Sequence, residues 1–177
     1  AGTRNWLFDK AGELRIVQVR INGQDSILYR DQAAAPWQTL ATFSAYGGGK
    51  DIFQPAFFAP DGTLYVHALR GGDKLALYRY DLAGKRIDDT PLAAAPGFDV
   101  RAEMLGTEGR LLGLRYEADT QTTQWLDEKM QAMQKQVNAL LPMTVNSLST
   151  GWRSATPFIL VRSFSDTTPT IYRLFNS

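Results

Sequence analysis

Apolar residues along this chain fall in short runs, and the runs recur at a nearly constant spacing. Segments 14–20, 63–69, 110–116 and 157–163 are each apolar and rich in residues that favour strands. An aromatic residue stands fifteen positions after the start of each: Tyr29, Tyr78, Trp125 and Tyr172, spaced by 49, 47 and 47 residues. Three of these aromatics share a frame, Ile27-Leu28-Tyr29-Arg30, Ala76-Leu77-Tyr78-Arg79 and Thr170-Ile171-Tyr172-Arg173. Gly12, Asp61-Gly62 and Glu108-Gly109 stand just ahead of three of the runs. They predict tight turns, Asp-Gly above all, because glycine accepts positive φ without a Cβ clash. Each repeat therefore reads as strand, turn, strand, loop, strand, with a fourth strand at 37–44 and at 86–92. About four strands in such a repeat is the size of one β-propeller blade. A blade cannot bury both faces by itself, so neighbours must stack on it.

The pattern changes once. After Trp125, apolar residues fall at 126, 130, 133, 137, 140 and 141, the steps of three and four that mark an amphipathic helix. Asp127 and Glu128 suit its positive N-terminal end, and Pro142 stops it. The expected fold class is thus all-β: a partial β-propeller of about four blades, 5–44, 52–93, 98–141 and 145–177, with one inserted α-helix near 127–141. The last blade is incomplete, and residues 1–177 form one propeller fragment. Glycine-rich and proline-containing stretches at 46–51 and 93–97 read as loops between blades.

Composition narrows the chemistry. The 177 residues carry 19 Lys and Arg against 18 Asp and Glu, a formal charge of +1. That balance offers nothing to a nucleic acid or to a polybasic membrane anchor. No apolar run reaches the length of a bilayer span. Neither nucleic acid nor membrane is expected as a partner. The absence of cysteine excludes disulfides, thiolate nucleophiles and Cys-ligated zinc, and leaves the compartment open between cytoplasm and periplasm. The one histidine, His67, cannot build an imidazole-rich zinc site, and any Ser-His-Asp triad would have to use it. No cofactor is expected. The opening Ala1-Gly2-Thr3 shows no signal peptide and reads as the start of a processed or truncated chain.

Phe53-Gln54-Pro55-Ala56-Phe57-Phe58-Ala59-Pro60-Asp61-Gly62-Thr63-Leu64 resembles the P-x-W/F-S-P-D-G strand-turn-strand of propellers related to the translocation protein TolB. Leu77-Tyr78-Arg79-Tyr80-Asp81-Leu82-Ala83-Gly84-Lys85 is similar to the outer hairpin of the same blades. From about residue 100 onward the likeness is to the prolyl oligopeptidase family of serine peptidases, acylaminoacyl peptidases and dipeptidyl-peptidase-like enzymes among them. It is carried by Leu114-Arg115-Tyr116-Glu117-Ala118-Asp119, Trp125-Leu126-Asp127 with the helix ending at Leu141-Pro142, Val145-Asn146, and Ser165-Asp166-Thr167-Thr168-Pro169-Thr170-Ile171-Tyr172-Arg173-Leu174. In that family the propeller restricts access to an α/β-hydrolase domain that follows it in the chain. Nothing here resembles the hydrolase domain. The resemblance therefore implies the substrate-gating, non-catalytic portion of an exopeptidase or oligopeptidase acting on short peptides, with the missing hydrolase domain as its partner. The alternative is a stand-alone TolB-like propeller that binds a protein or a ligand. An arc of blades also exposes unpaired edges through which it would self-associate.

No residue of this chain is expected to catalyse. Ser147-Leu148-Ser149-Thr150-Gly151 comes nearest to the nucleophile elbow G-x-S-x-G, but it lacks the first glycine and opens no helix. His67 lies inside a predicted strand, where an imidazole is usually hydrogen-bonded in or near the core. Gly47-Gly48-Gly49-Lys50 lacks the first glycine and the Ser or Thr of a phosphate loop, having Ser44 and Asp51 there. Asp127 and Glu128 are the substrate-binding candidates, because glutamates on a propeller helix hold the free amino terminus in dipeptidyl peptidases. Helix N-termini favour acids in any case. Trp125, Met130, Met133 and Val137 are expected to pack the helix against its blade. The arginines at 20, 30, 70, 79, 115, 153, 162 and 173 read as dispersed over a mixed-charge surface.

Overall fold

The computed structural model describes residues 2–47, 49, 51–149 and 156–176. They form four antiparallel sheets and one helix, in two compact units, Ala1–Arg101 and Ala102–Ser177. The first unit holds two four-stranded meanders, each in chain order. One consists of β1 (Gly2–Phe8), β2 (Leu14–Ile21), β3 (Gln24–Tyr29) and β4 (Gln38–Ser44). The other consists of β5 (Phe53–Phe58), β6 (Leu64–Ala68), β7 (Ala76–Asp81) and β8 (Arg86–Ile87). The second unit holds two three-stranded meanders: β9 (Glu103–Gly106), β10 (Leu111–Glu117) and β11 (Gln121–Trp125), then β12 (Val145–Ser149), β13 (Phe158–Phe164) and β14 (Ile171–Asn176). Helix α1 (Glu128–Leu140) follows β11 where the first two sheets have a fourth strand. The class is all-β, with propeller-type sheets and one inserted helix.

The turns show why these strands pair as they do. Asp9 Oδ1 accepts from the amides of Ala11 and Glu13, and Gly12 turns the chain at φ 77°. Asp61 Oδ1 accepts from the Thr63 amide while Gly62 sits at φ 87°. Asn22 and Gly23, both at positive φ, join β2 to β3 as a two-residue hairpin. Gly109 needs no positive φ; the turn from β9 to β10 is closed instead by the Thr107 amide donating to the Arg110 carbonyl.

The repeat places one aromatic on the third strand of every sheet. Tyr29, Tyr78 and Trp125 are buried, whereas Tyr172 is 62% exposed. Among the described residues its strand, β14, pairs with β13 alone. Trp125 lies opposite Gly113, and a Cβ on that glycine would stand 2.6 Å from the indole, so the large ring on β11 demands the missing side chain on β10. In the first unit Ile16, Ile27, Leu64, Val66 and Tyr78 are at the centre of one core. In the second, Leu112, Trp125, Met130, Met133, Val137, Leu148 and Val161 form another. At about 25 cal/mol per Å² of apolar surface, each such side chain contributes about 1.5–3 kcal/mol on burial.

Two expectations need correction. The strand foreseen at 86–92 pairs only at Arg86–Ile87, with a single later bridge from Leu77 to Ala93. Pro91 lacks the amide a continued ladder requires. The apolar stripe of the helix is also narrower than its spacing suggested. Met130, Met133 and Val137 are buried, but Leu140 is 69% exposed and Leu126 lies outside the helix and exposed.

Candidate functional site

Asp127 and Glu128 open helix α1, and the fold uses the first of them fully. Asp127 is the N-cap: its Oδ1 accepts from the Met130 amide at 3.1 Å, meeting one of the donors a helix start leaves unpaired. Its Oδ2 accepts from the Arg110 guanidinium at 2.8 Å. Both oxygens thus hold local structure. Glu128 is exposed in the first turn. The helix is tied to the strands around it by amides: Trp125 Nε1 donates to Gln134, Gln131 donates to the Trp125 carbonyl, and Gln134 donates to the Asn146 carbonyl. Trp125, Met130, Met133 and Val137 are core residues, as their pattern foretold.

His67 sits in the middle of its sheet, between Gln54 on β5 and Leu77 on β7. Burial, and secondarily the positive Arg101, lower its pKa from 6.5 to about 4. It is a neutral, buried imidazole at neutral pH. Ser147 and Ser149 lie on β12 and not on a strand-to-helix elbow. Thr150 and Gly151, which complete that motif, lie outside the described residues, as do Gly48 and Lys50 of the glycine loop. Among the described residues there is no group of three His, Cys, Asp or Glu side chains placed to hold a metal ion, and no helix is long and apolar enough to cross a membrane.

The convergence of polar groups lies elsewhere, within the second unit, between the sheet β9–β11 and the sheet β12–β14. A depression of about 400 Å³ is lined there by Glu103, Arg115, Gln121, Ser147, Arg162 and Tyr172. The strand registers put them in place. On β10, Arg115 stands opposite Glu103 of β9; on β13, Arg162 stands between Ser147 of β12 and Tyr172 of β14. Gln121 Oε1 receives a hydrogen bond from Arg162 at 2.7 Å and another from the Ser147 hydroxyl at 3.2 Å, and its Nε2 donates to Glu117. The Arg162 guanidinium lies 4.8 Å from the centre of the Phe164 ring, a cation–π distance.

Arg115 is the unusual member. It reaches across to the neighbouring sheet, where one terminal nitrogen donates to the Leu148 carbonyl at 3.1 Å. Its Nε is buried and makes no hydrogen bond to the described residues. Burial pulls its pKa below the ordinary guanidinium value, and the like charge of Arg162 adds to that; Glu103 and Glu117 work the other way. Among the described residues no carboxylate lies within ion-pair distance of Arg115 or Arg162. The contrast with the first unit is plain. Its depression of about 320 Å³ contains Arg70, which is already paired with Asp51 and Asp89.

This grouping overturns the reading of all the arginines as dispersed. Arg115 and Arg162 are 47 residues apart, the same step that separates Trp125 from Tyr172. They occupy equivalent positions on the middle strands of two consecutive sheets. That identity at the repeat spacing was the sequence signal for the pair.

No protein-family model matches the chain, and no curated protein sequence matches it at a significant level. Among solved structures, TolB from Acinetobacter baumannii is similar over 96% of this chain and 42% of its own, with 15% sequence identity and a TM-score of 0.44. The chain thus spans less than half the length of that structure. A likeness of this degree carries no inference about activity.

Proposed function

We propose that this chain is a binding module built from propeller-type sheets, one that holds a ligand or partner and does no chemistry of its own. The observation that carries the reading is the depression between the sheet β9–β11 and the sheet β12–β14, where side chains from several strands converge on one open space. The residues first offered for other roles support it. Asp127 caps a helix, and His67 is a buried neutral imidazole with its pKa near 4.

The test has two parts. The pure chain is screened by ¹H–¹⁵N NMR against a mixed library of small polar fragments, and assayed with aminoacyl and acylaminoacyl chromogenic substrates. The expected result is shifts clustered on Arg115, Ser147, Arg162 and their neighbours, with no release of chromophore. Turnover by the pure chain, or a screen in which no fragment moves these amides, defeats the proposal.

A narrower reading, that the module gates a serine peptidase, rests on the sequence motifs from residue 100 onward and on no structural comparison. An open reading frame continuing past Ser177 into G-x-S-x-G, then an acid, then a histidine would support it.

A further inference from the structure

We infer that the depression between the sheets β9–β11 and β12–β14 is a carboxylate site: Arg115 and Arg162 receive a singly charged organic carboxylate, with Tyr172 and Leu160 beside its apolar part. The inference rests on the binding-module reading and names the ligand chemistry of that same site.

The first ground is unmet donor capacity. A guanidinium has five N–H groups and no acceptor, and its planar fork matches a carboxylate edge to edge. Arg115 spends one terminal nitrogen on a carbonyl and keeps a buried Nε without a partner among the described residues. Arg162 donates to Gln121, a neutral acceptor. Both guanidinium groups line the open depression, and among the described residues neither pairs with a carboxylate, which points to an anion from outside.

The second ground is charge. Glu103 stands opposite Arg115 in the strand register, yet the two make no ion pair. Among the described residues the lining therefore holds two guanidinium groups and one carboxylate, a net of one positive charge. A monoanion neutralises that balance, whereas a doubly charged phosphate leaves one negative charge in excess and costs more to desolvate. Glu117 does not line the space; its carboxylate accepts from Gln121. The third ground is shape. Leu160 and Tyr172 are exposed at the rim, offering an apolar wall beside the charged floor. A carboxylate on a short apolar chain fits both. It can come from a free organic acid or from the C-terminal end of a peptide.

The experiment is a ¹H–¹⁵N NMR titration of the full chain with hexanoate, hexanamide, inorganic phosphate, and N-acetyl-Ala-Ala-Leu as free acid and as amide. Hexanoate is expected to shift the amides of Arg115, Ser147, Arg162 and Tyr172, and hexanamide to leave them in place. Arg162→Gln should weaken hexanoate about tenfold or more, the scale of one charge-assisted pair. Arg162→Lys should fall between, since an ammonium keeps the charge and loses the fork. Arg162 is preferred to the more deeply engaged Arg115, and each variant's own spectrum shows whether it is folded; Tyr172→Phe, on the exposed strand, is the second probe of the same space. Free-acid peptide binding above hexanoate supports the carboxylate and assigns it to a peptide end; hexanoate binding at least as well as the peptide supports it and assigns it to a free acid. Equal binding of hexanoate and hexanamide, tighter binding of phosphate, or indifference to Arg162→Gln overturns the inference. If neutral fragments shift these amides and hexanoate does not, the carboxylate falls while the binding module stands. If neither does, both fall.

Discussion

Acidification should weaken the first unit through His67 before it reaches Asp9, Asp25 or Asp61. The imidazole is 9% exposed, and its pKa is lowered from 6.5 to about 4, chiefly by burial and then by Arg101. The unfolded chain takes up a proton as pH falls through the ordinary value, whereas the folded chain does not until about pH 4. Unfolding is therefore coupled to proton uptake in that window, and stability falls as pH falls. Above the ordinary value both states are neutral and the full stability is present. One pKa unit is worth about 1.4 kcal/mol, so the loss between about pH 7.5 and pH 5 is about 2 kcal/mol, approaching about 3 kcal/mol near pH 4. Asp9, Asp25 and Asp61 have pKa values lowered from 3.8; their contribution is present above that value and is lost only as pH falls below it. The two effects occupy different windows. The assay is urea unfolding followed by tryptophan fluorescence at about pH 7.5 and pH 5, for the wild-type chain and His67→Gln. The wild type should lose about 2 kcal/mol more than the variant across that interval. Equal losses in the two proteins would refute the assignment of the transition to His67.

Three further outcomes are expected. Gly113→Ala places a Cβ 2.6 Å from the Trp125 ring and 2.8 Å from the Gln124 carbonyl, so it should cost about 1–3 kcal/mol of overpacking and alter the near-ultraviolet dichroism of the indole. Asp127→Ala should lower stability by about 1 kcal/mol in urea melts through the lost cap, while Asp127→Asn, which keeps an acceptor, should recover most of it; the bond to Arg110, whose side chain is 71% exposed, adds little. The edge strand β14 presents Ile171, Tyr172 and Leu174 to solvent, the last 71% exposed. Sedimentation velocity should show association rising with concentration and suppressed by Leu174→Lys, and a monodisperse monomer at every concentration would count against edge pairing.

The fold was legible wherever the code is local. Alternation and the step from Tyr29 to Tyr78 to Trp125 to Tyr172 marked the third strand of every sheet, because side chains on a strand face one side every second residue. Gly12 and Asp61-Gly62 marked turns because only glycine takes those angles without strain. The helix followed from its three-and-four spacing, with acids at its N-terminal end and Pro142 after it. The candidate site was less legible. Asp127 and Glu128 looked alike as a carboxylate pair, and only the tertiary structure shows that Asp127 is taken up by Met130 and Arg110.

Periodicity and turn chemistry are properties of neighbouring residues, so the amino-acid sequence by itself determined most of the strands and hairpins and the helix, but not the short extent of β8 or the width of the helix's apolar face. The meeting of Arg115 with Arg162 is set by how one sheet lies beside the next within the second unit. So are the burial of His67, the exposure of Tyr172 and the unmet Nε of Arg115. Burial, charge pairing and hydrogen-bond satisfaction depend on which atoms packing brings within a few ångströms, and only the tertiary structure decided that.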